Sequence, residues 1–547
     1  MSGPVTFSGI FSGIDTATIV ERLMEIERQP LRVIQQEQLQ TQRRLAIFKN
    51  LQSRLSSLDS AIQSLNRAST LGAKTATSSN TDVLTVSASS AAAAGSFTID
   101  SITNLARAAS EASIGVTDKT ADFVSGSSFS FDVGTETVSI SLSAGETTLE
   151  GLRDAINTQA TGLASAAIID TGDDNDPYKL VIRSVETGAD SDISNISTDI
   201  VVSTTGGDVA LSFVPAESVD GLDALFKVND VEISRGSNTV SDVLEGVTLE
   251  LKGTTGSPVT VTVARDTDTI KSEVNEFISA YNDINSLIQS QFDYNEETES
   301  AGPLSGDFTL RQIQGSLQSL VVGGIEDADG NRYSLATIGI EIDKYSGALS
   351  LDESKFNEAI ANDDKQLFLD LFLARGVPSD KRVTYVSSRN ATQAGNYEIN
   401  ITGYDGTGNA EGTFTLDGQV YTGIGEGQCL VGPEGTPAEG LRIRIASGVT
   451  GALGSVYFSV GVAEQFERRL DDFLMPISGL LPKVESRLKG DLASFADHIA
   501  AFEERLEERQ RELTQQFIAA EQAIASLQSQ SSSFSQQLNN IGGGSLL

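Results

Sequence analysis

The chain has 547 residues, which is too many for a single hydrophobic core, so several domains are expected. Its 75 acidic and 38 basic residues give a formal net charge of −37, which disfavours nucleic acid and anionic membranes as partners. Tryptophan is absent and aromatic residues make up 6%, so the composition does not favour an aromatic small-ligand pocket. No apolar run reaches the roughly 20 residues that cross a bilayer, and neither membrane insertion nor a general secretory signal is expected.

Residues 1–30 carry glycine and proline around one weak amphipathic turn, and we expect a disordered N-terminal assembly segment. Residues 31–71 repeat apolar side chains at alternating four- and three-residue steps, a spacing typical of coiled-coil helices. They are predicted to form the N-terminal helix of a stalk. Its predicted seam consists of Leu51, Leu55, Leu58, Ile62 and Leu65.

After residue 71 the apolar pattern changes to two-residue alternation, which is typical of β-strands. Residues 72–110 and 222–268 are predicted to form one discontinuous inner β domain, because the strand patterns of both segments complete one sheet. Residues 111–221 are predicted to form an outer β domain that is inserted into the inner one.

The middle of the chain returns to helical spacing. Residues 269–375 are predicted to form stalk helices and short connecting elements, so that three helices share one core. The predicted seam of this region consists of Ile270, Val274, Phe277, Tyr281, Ile284 and Ile288.

The chain repeats part of its β region at an offset of 300 residues. Seven of 17 consecutive positions are identical between the segments that begin at Val83 and Val383, and each segment ends in a short aromatic strand. Residues 376–463 are therefore predicted to form an extra β domain that duplicates the inner β domain.

Residues 464–540 are predicted to form C-terminal stalk helices, and residues 541–547 a flexible tail. The apolar seam of this region has one additional four-residue step from Leu513 to Phe517, which marks a stutter. The predicted seam consists of Phe495, Ile499, Phe502, Leu506, Leu513, Phe517, Ile524 and Leu527, and it continues to Phe534 and Leu538.

These patterns predict an α+β multidomain fold. An antiparallel coiled coil or helical bundle from both termini and the mid-chain helices would form the stalk, and the β-rich domains would protrude from one end of it.

No catalytic residue, metal site or cofactor is predicted. His498, the only histidine, lies in a highly charged helix and is interpreted as solvated surface, not as part of a catalytic triad. The acidic segments 170–176 and 327–331 have loosely calcium-like spacing, but the twelfth position counted from Asp327 is Ile338 and not the glutamate that closes an EF-hand. Both segments are interpreted as solvated turns. Cys429 is interpreted as a buried small residue, although an unpaired thiol could also link subunits. We expect no enzyme activity.

Several segments together resemble one known family. The N-terminal pattern consists of Ser12, Gly13, Ile14 and Asp15, followed by Gln29 and Pro30 before a helix. Further similarity lies in Gly302–Asp307 and in 338–352. On these residues the chain resembles the hook-associated protein 2 (FliD) family of bacterial flagellar filament caps, and its β modules look like flagellin-type inserts.

This resemblance implies an extracellular location at the filament tip after export through the flagellar type III channel. The implied partners are further copies of the chain in a ring of five or six, flagellin, hook–filament junction proteins and a cytoplasmic export chaperone. The extra domain at 376–463 departs from many family members. Two alternatives are another hook-associated or flagellin-like axial protein, and a flagellar-tip adhesin that binds host surface glycans through its β domains.

Overall fold

A computed structural model describes residues 15–295, 300–362, 367–404 and 406–542. The chain divides into two compact units, Met1–Arg67 with Ser272–Leu547, and Ala68–Lys271. The helices in the described residues are α1 (Thr16–Glu27), α2 (Gln29–Leu65), α3 (Ala68–Leu71), α4 (Leu149–Gln159), α5 (Thr267–Phe292), α6 (Phe308–Val322), α7 (Glu353–Ala361), α8 (Leu367–Phe372), α9 (Val462–Leu474) and α10 (Leu480–Gly542).

The strands fall into three groups along the chain. Those of the unit Ala68–Lys271 are β1 (Lys74–Ser78), β2 (Leu84–Ala88), β3 (Gly95–Asn104), β4 (Ser110–Val116), β5 (Ser128–Val133), β6 (Glu136–Ser141), β7 (Ala164–Asp170), β8 (Tyr178–Ser184), β9 (Ile193–Thr198), β10 (Val201–Thr204), β11 (Gly207–Ala210), β12 (Ala224–Val228), β13 (Val231–Arg235), β14 (Thr239–Leu244), β15 (Val247–Leu251) and β16 (Val259–Arg265). Short hairpins follow as β17 (Tyr294–Asn295), β18 (Ser300–Ala301), β19 (Gly324–Glu326), β20 (Arg332–Ser334), β21 (Ile340–Ile342) and β22 (Leu349–Leu351). The last group is β23 (Arg375–Pro378), β24 (Val383–Ser387), β25 (Gly395–Gly403), β26 (Glu411–Leu416), β27 (Gln419–Thr422), β28 (Ile424–Glu426), β29 (Cys429–Val431), β30 (Arg442–Ile445) and β31 (Gly451–Ser459).

A β-sandwich of two sheets is assembled from distant parts of the unit Ala68–Lys271. Its larger sheet has the order β1-β16-β3-β12-β13, so β3 lies between strands that follow it by more than 100 residues. The smaller sheet has the order β14-β15-β2. Alternating apolar residues from both sheets, among them Leu84, Ile99 and Phe226, form one buried cluster.

The segment between β3 and β12 has a separate hydrophobic core. Sheets β4-β8-β7 and β6-β5-β9 enclose this core together with α4, whose Leu152 and Ile156 are fully buried. Thr148 begins α4 by accepting a hydrogen bond from the amide of Gly151. Independent folding of residues 111–221 stays a prediction.

The sandwich at residues 375–459 repeats the strand order of the first one. Its larger sheet, β23-β31-β25-β26-β27, matches β1-β16-β3-β12-β13 position by position, and its smaller sheet, β24-β30-β29-β28, has one strand more than β2-β15-β14. Ile99 and Ile399 occupy buried positions in the corresponding strands β3 and β25. This equivalence is the arrangement expected of an internal duplication.

The two sandwiches differ at one core position. Phe97 is only partly buried, whereas Tyr397 is fully buried, with its hydroxyl 2.7 Å from the carbonyl oxygens of Gln393 and Pro437. Burial raises the pKa of Tyr397, because its ionised form would be poorly solvated there.

The second sandwich is anchored to α9 within the same unit. The Arg468 guanidinium donates hydrogen bonds to the carbonyl oxygens of Thr392 (2.9 Å) and Arg389 (3.2 Å). The Tyr457 hydroxyl donates to the carbonyl oxygen of Glu326 at 3.0 Å. The charge-assisted bonds of Arg468 fix the sandwich against α9, and the neutral bond of Tyr457 joins it to β19.

The predicted disorder of residues 1–30 is wrong from residue 16 onwards. The helix α1 covers 16–27 and α2 begins at Gln29, because Val20, Met24 and Leu31 bury their side chains against α10. Residues 1–14 lie outside the described residues.

Two helix boundaries also differ from the prediction. The N-terminal stalk helix ends at Leu65, and 68–71 form the separate helix α3. The predicted flexible tail is wrong for residues 541 and 542, which complete α10, while 543–547 lie outside the described residues.

Removing residues 111–221 tests the independence of the segment between β3 and β12. The amide of Arg107 donates a hydrogen bond to the carbonyl oxygen of Leu222 at 2.8 Å, so a short glycine–serine linker can join the cut ends without strain. We expect the shortened protein to unfold cooperatively in a thermal scan followed by circular dichroism. A gradual, non-cooperative transition would contradict the nested arrangement.

Candidate assembly surfaces

The predicted seams of α2 and α5 are buried. The α2 seam residues, Leu51, Leu55, Leu58, Ile62 and Leu65, are each at most 1% exposed. The α5 seam residues, Ile270, Val274, Phe277, Tyr281, Ile284 and Ile288, are each at most 2% exposed. Burial raises the pKa of Tyr281 to about 12. These side chains are core residues and do not offer a free surface.

Sequence reasoning missed α9 as a partner of these seams. Helix α9 contacts α2, and its Phe466 ring meets the Phe277 ring of α5 edge-on at a centroid distance of 5.4 Å. The missed residues are Val462, Phe466, Leu470 and Phe473, all buried. Their steps of four, four and three residues are a helical signal, but α9 is only 13 residues long and gives few repeats.

Helix α10 runs antiparallel to α1 and α2. The Nζ atom of Lys49 lies 3.8 Å from Oε1 of Glu485, and Oε1 of Glu27 lies 3.9 Å from Nε of Arg509. Near the start of α1, Thr16 donates a hydrogen bond to Glu521 at 3.4 Å. Exposed ion pairs contribute less than about 1 kcal/mol each, so the contact depends mainly on apolar burial. The apolar cluster consists of Val20, Met24, Leu31, Leu506 and Leu513, with Ile499, Phe502 and Phe517 packed against it.

The predicted α10 seam changes character along its length. Leu506 and Leu513 are buried, whereas Phe495, Ile499, Phe502, Phe517 and Ile524 are half-buried. From Leu527 onwards the same seam is open: Leu527 is 63%, Phe534 64% and Leu538 55% exposed. We call Leu527, Phe534 and Leu538 the distal seam.

Helices α1 and α2 carry a second apolar seam beside the buried one. It consists of Ile19, Leu23, Ile26 and Val33, which are 37%, 39%, 63% and 54% exposed. Ile19 and Leu23 directly precede the buried residues Val20 and Met24, and Ile26 and Val33 continue at heptad spacing. A helix with two adjacent seams is typical of a bundle with more than two helices, and α10 fills only one of them. We call these four residues the second seam.

The described residues of the N-terminal signature determine where helices begin. Ser12, Gly13 and Ile14 lie outside the described residues. The Asp15 carboxylate caps α1 by accepting hydrogen bonds from the amide (3.1 Å) and the hydroxyl (2.5 Å) of Thr18, which lowers the pKa of Asp15. Gln29 and Pro30 form the first turn of α2, where the missing amide proton of proline costs no hydrogen bond.

The second signature, Gly302–Asp307, joins three helices. A Cβ atom at Gly302 would lie 2.6 Å from the backbone oxygen of Gln291 at the end of α5, so only glycine fits there. Asp307 caps α6 by accepting the amide of Thr309 at 2.8 Å, and it forms an ion pair with Arg44 of α2 at 3.2 Å.

The residues that were considered for catalysis or metal binding occupy positions with a structural explanation. His498 is exposed on α10, and Cys429 is buried in β29. Asp173 and Asp327 accept backbone hydrogen bonds inside their own turns. Across the described ranges, no group of three or more histidine, cysteine or acidic residues is placed to hold a metal ion. The helices described also include none with the length and apolar character needed to cross a membrane.

Four carboxylates meet where α2 contacts α9. The Asn66 amide donates to Glu464 at 3.0 Å and to Glu467 at 2.8 Å, and Arg468 pairs with Glu464 at 3.0 Å. Burial and the nearby charge of Asp471 raise the pKa of Asp59. Burial also raises the pKa of Glu467, and the charges of Glu464, Asp59 and Asp471 add to this effect.

Comparison with known protein families gives two matches. The model for the N-terminus of flagellar hook-associated protein 2 matches residues 12–109. The model for the C-terminus of flagellar hook-associated protein 2 matches residues 221–529. The segment between them, which includes the separate core around α4, lies outside both matches.

Two individual relatives agree with these matches. The B-type flagellar hook-associated protein 2 of Pseudomonas aeruginosa is 32% identical over 346 residues, which cover 59% of this chain and 71% of that protein. Flagellar hook-associated protein 2 of Escherichia coli K12 is 32% identical over 369 residues, 65% of this chain and 77% of that protein. The crystal structure of the D1-D2-D3 domains of the flagellar cap protein FliD from Escherichia coli has a TM-score of 0.49 and 31% identity, covering 59% of this chain and 89% of that one.

Replacing Asp59 by Asn together with Glu467 by Gln should stabilise the protein at neutral pH. The folded state raises the pKa of both carboxyl groups, so protonation of these groups favours the folded protein. This contribution to stability is complete below a pH of about 4 and is lost as the pH rises through the raised pKa values. We expect the variant to gain about 0.5 kcal/mol at pH 7, a size typical of like-charge contacts on helices.

Melting temperatures of variant and original protein, measured between pH 4.5 and 8, check this expectation. The difference should shrink towards acid pH, whereas Asp497→Asn, an exposed change on α10, should show no such trend. An equal difference at every pH would contradict the role of these two carboxylates.

Proposed function

The chain belongs to the flagellar hook-associated protein 2 family, and from this we infer that it caps the distal end of the bacterial flagellar filament. It acts outside the cell, after export through the flagellar type III apparatus, and promotes the insertion and folding of exported flagellin. The observation that carries this proposal is the pair of family matches, which flank residues 110–220 and reach from residue 12 to residue 529.

We propose that the protein works as a homo-oligomeric ring of five or six copies. Its further partners would be flagellin, hook–filament junction proteins and, before export, a cytoplasmic chaperone. The inner and outer β domains at 72–110 with 222–268 and at 111–221 would form the plate of the cap, together with the extra domain at 376–463. This role is structural and needs no catalytic residue.

The helices supply the surfaces for assembly in this proposal. The second seam and the distal seam expose large aliphatic and aromatic side chains on α1, α2 and α10. Full burial of one such side chain contributes about 1.5 to 3 kcal/mol, and these residues are only partly buried in the single chain. Contact with helices of neighbouring filament subunits would bury these side chains further and contribute the rest of this free energy.

Ile26→Asp with Val33→Asp separates assembly from folding. Both residues belong to the second seam and are exposed, so the melting temperature should stay within a few degrees of the original value. Supplied from outside to a cap-deficient bacterium, the variant should fail to restore filament growth and let flagellin leak into the medium. Filament length in electron micrographs and flagellin in the culture supernatant are the two readouts.

A matched control carries the same charge change on the far side of the helix. Gln35→Asp with Gln42→Asp alters exposed residues roughly half a turn away from Val33, at the same seven-residue spacing, and should restore filaments normally. Normal growth with the second-seam variant would overturn its role in assembly. Failure of both variants would show a general effect of charge.

Leu55→Asp with Leu58→Asp should abolish the fold of the helices. Both leucines have 0% exposure, and charges placed there would remain without partners. We expect a loss of several kcal/mol of unfolding free energy, visible as early helix melting in circular dichroism. Filament growth should fail for this reason, and an unchanged melting temperature would contradict the buried seam.

A further inference from the structure

The outer edge of the second sandwich is an open strand. In its larger sheet, β27 pairs with β26 on one side and forms the end of the sheet on the other. The two-residue turn Asp417–Gly418 has positive φ at both residues (50° and 80°), as in a type I′ hairpin. Residues that flank such a turn exchange hydrogen bonds, so Leu416 bonds to Gln419. The next pair, Thr415 with Val420, is not hydrogen-bonded. The backbone amide and carbonyl of Val420 therefore point away from β26, towards the open side of the sheet.

The first sandwich provides an internal comparison for this position. Its edge strand β13 follows the turn Asn229–Asp230, which also has positive φ at both residues (47° and 65°). The corresponding pair is Lys227 with Glu232. The backbone groups that point outwards on that edge therefore belong to a charged residue, Glu232. In β27 the pair is Thr415 with Val420, and the Val420 side chain is 62% exposed. The duplicate thus lacks the charge that protects the first edge.

Two other edge strands of the chain, β7 and β6, are blocked by side-chain amides. On β7, the Asn157 amide bonds to both the amide (2.8 Å) and the carbonyl (2.9 Å) of Ala166. On β6, Gln159 does the same at Ser141, with both distances 3.0 Å. Within the described part of the chain, no side chain takes such a position on β27.

We propose that β27 pairs with β27 of a second copy of this chain. Two copies with a net charge of −37 repel each other, so a self-contact needs a neutral place, and the segment from Gln419 to Gly425 contains no charged residue. In antiparallel pairing across a two-fold axis, the backbone of Val420 bonds to the backbone of Thr422 in the second copy. By symmetry, Thr422 bonds to Val420 of the second copy. The two larger sheets then become continuous, and the exposed valine is covered.

This contact is distinct from the proposed ring. A two-fold contact joins copies in pairs, whereas a ring uses one surface against a different one. Because β27 has only four residues, pairing is weak and depends on protein concentration. It goes beyond the capping function and stands or falls separately from it.

Analytical ultracentrifugation of the full-length protein over a wide concentration range tests the proposal. The original protein should show a doubling of mass with rising concentration, starting from whichever species is present at the lowest one. Val420→Glu, which restores the charge found at Glu232, should abolish the doubling. Val420→Lys should do the same with the opposite charge, and circular dichroism verifies that both variants fold.

Val231→Glu is the matched control. Val231 is 60% exposed on β13, but it pairs with Val228 beside the turn and does not present its backbone outwards. Its replacement should leave the doubling intact. If the original protein shows no doubling at any concentration, or if Val420→Glu retains it, the proposal is overturned, and the edge is left to a different protein.

Discussion

The antiparallel contact of α1 and α2 with α10 is the constraint on which the rest of the unit Met1–Arg67 with Ser272–Leu547 depends. It joins residues that are separated by almost the whole chain, as the hydrogen bond from Thr16 to Glu521 illustrates. The ends of all intervening segments must therefore return to neighbouring places. The entropy of closing such a long loop grows only slowly with its length, so apolar burial along two long helices can offset it.

The same contact explains why the helices have two kinds of surface. Val20, Met24 and Leu31 find partners on α10, while Ile19, Leu23 and Ile26 lie on the neighbouring face without one. A single antiparallel partner covers only part of a helix circumference. The apolar residues beyond that part stay exposed, and the proposed contacts with other subunits would use them.

The two sandwiches show how one strand order tolerates different sequences. Ile99 and Ile399 keep the core position, whereas Phe97 and Tyr397 differ in burial and in the hydrogen bonds of the tyrosine hydroxyl. At the edge, Glu232 and Val420 differ in charge, and there a change costs little stability. Core positions are constrained by packing, but edge positions are constrained by what must or must not pair with them.

The sequence by itself determined the positions of the long helices, the switch to strands after residue 71 and the repeat of residues 83–99 at 383–399, because periodicity and repetition are read directly from the residues. Only the tertiary structure decided that α9 packs against α2 and α5, since 13 residues carry too few repeats to identify a partner. It also decided that residues 16–27 form a helix and that α2 begins at Gln29. Likewise, it decided that Leu527 is exposed although this residue continues an apolar seam. Burial depends on whether a partner lies opposite, and this is a property of distant segments that no local pattern contains.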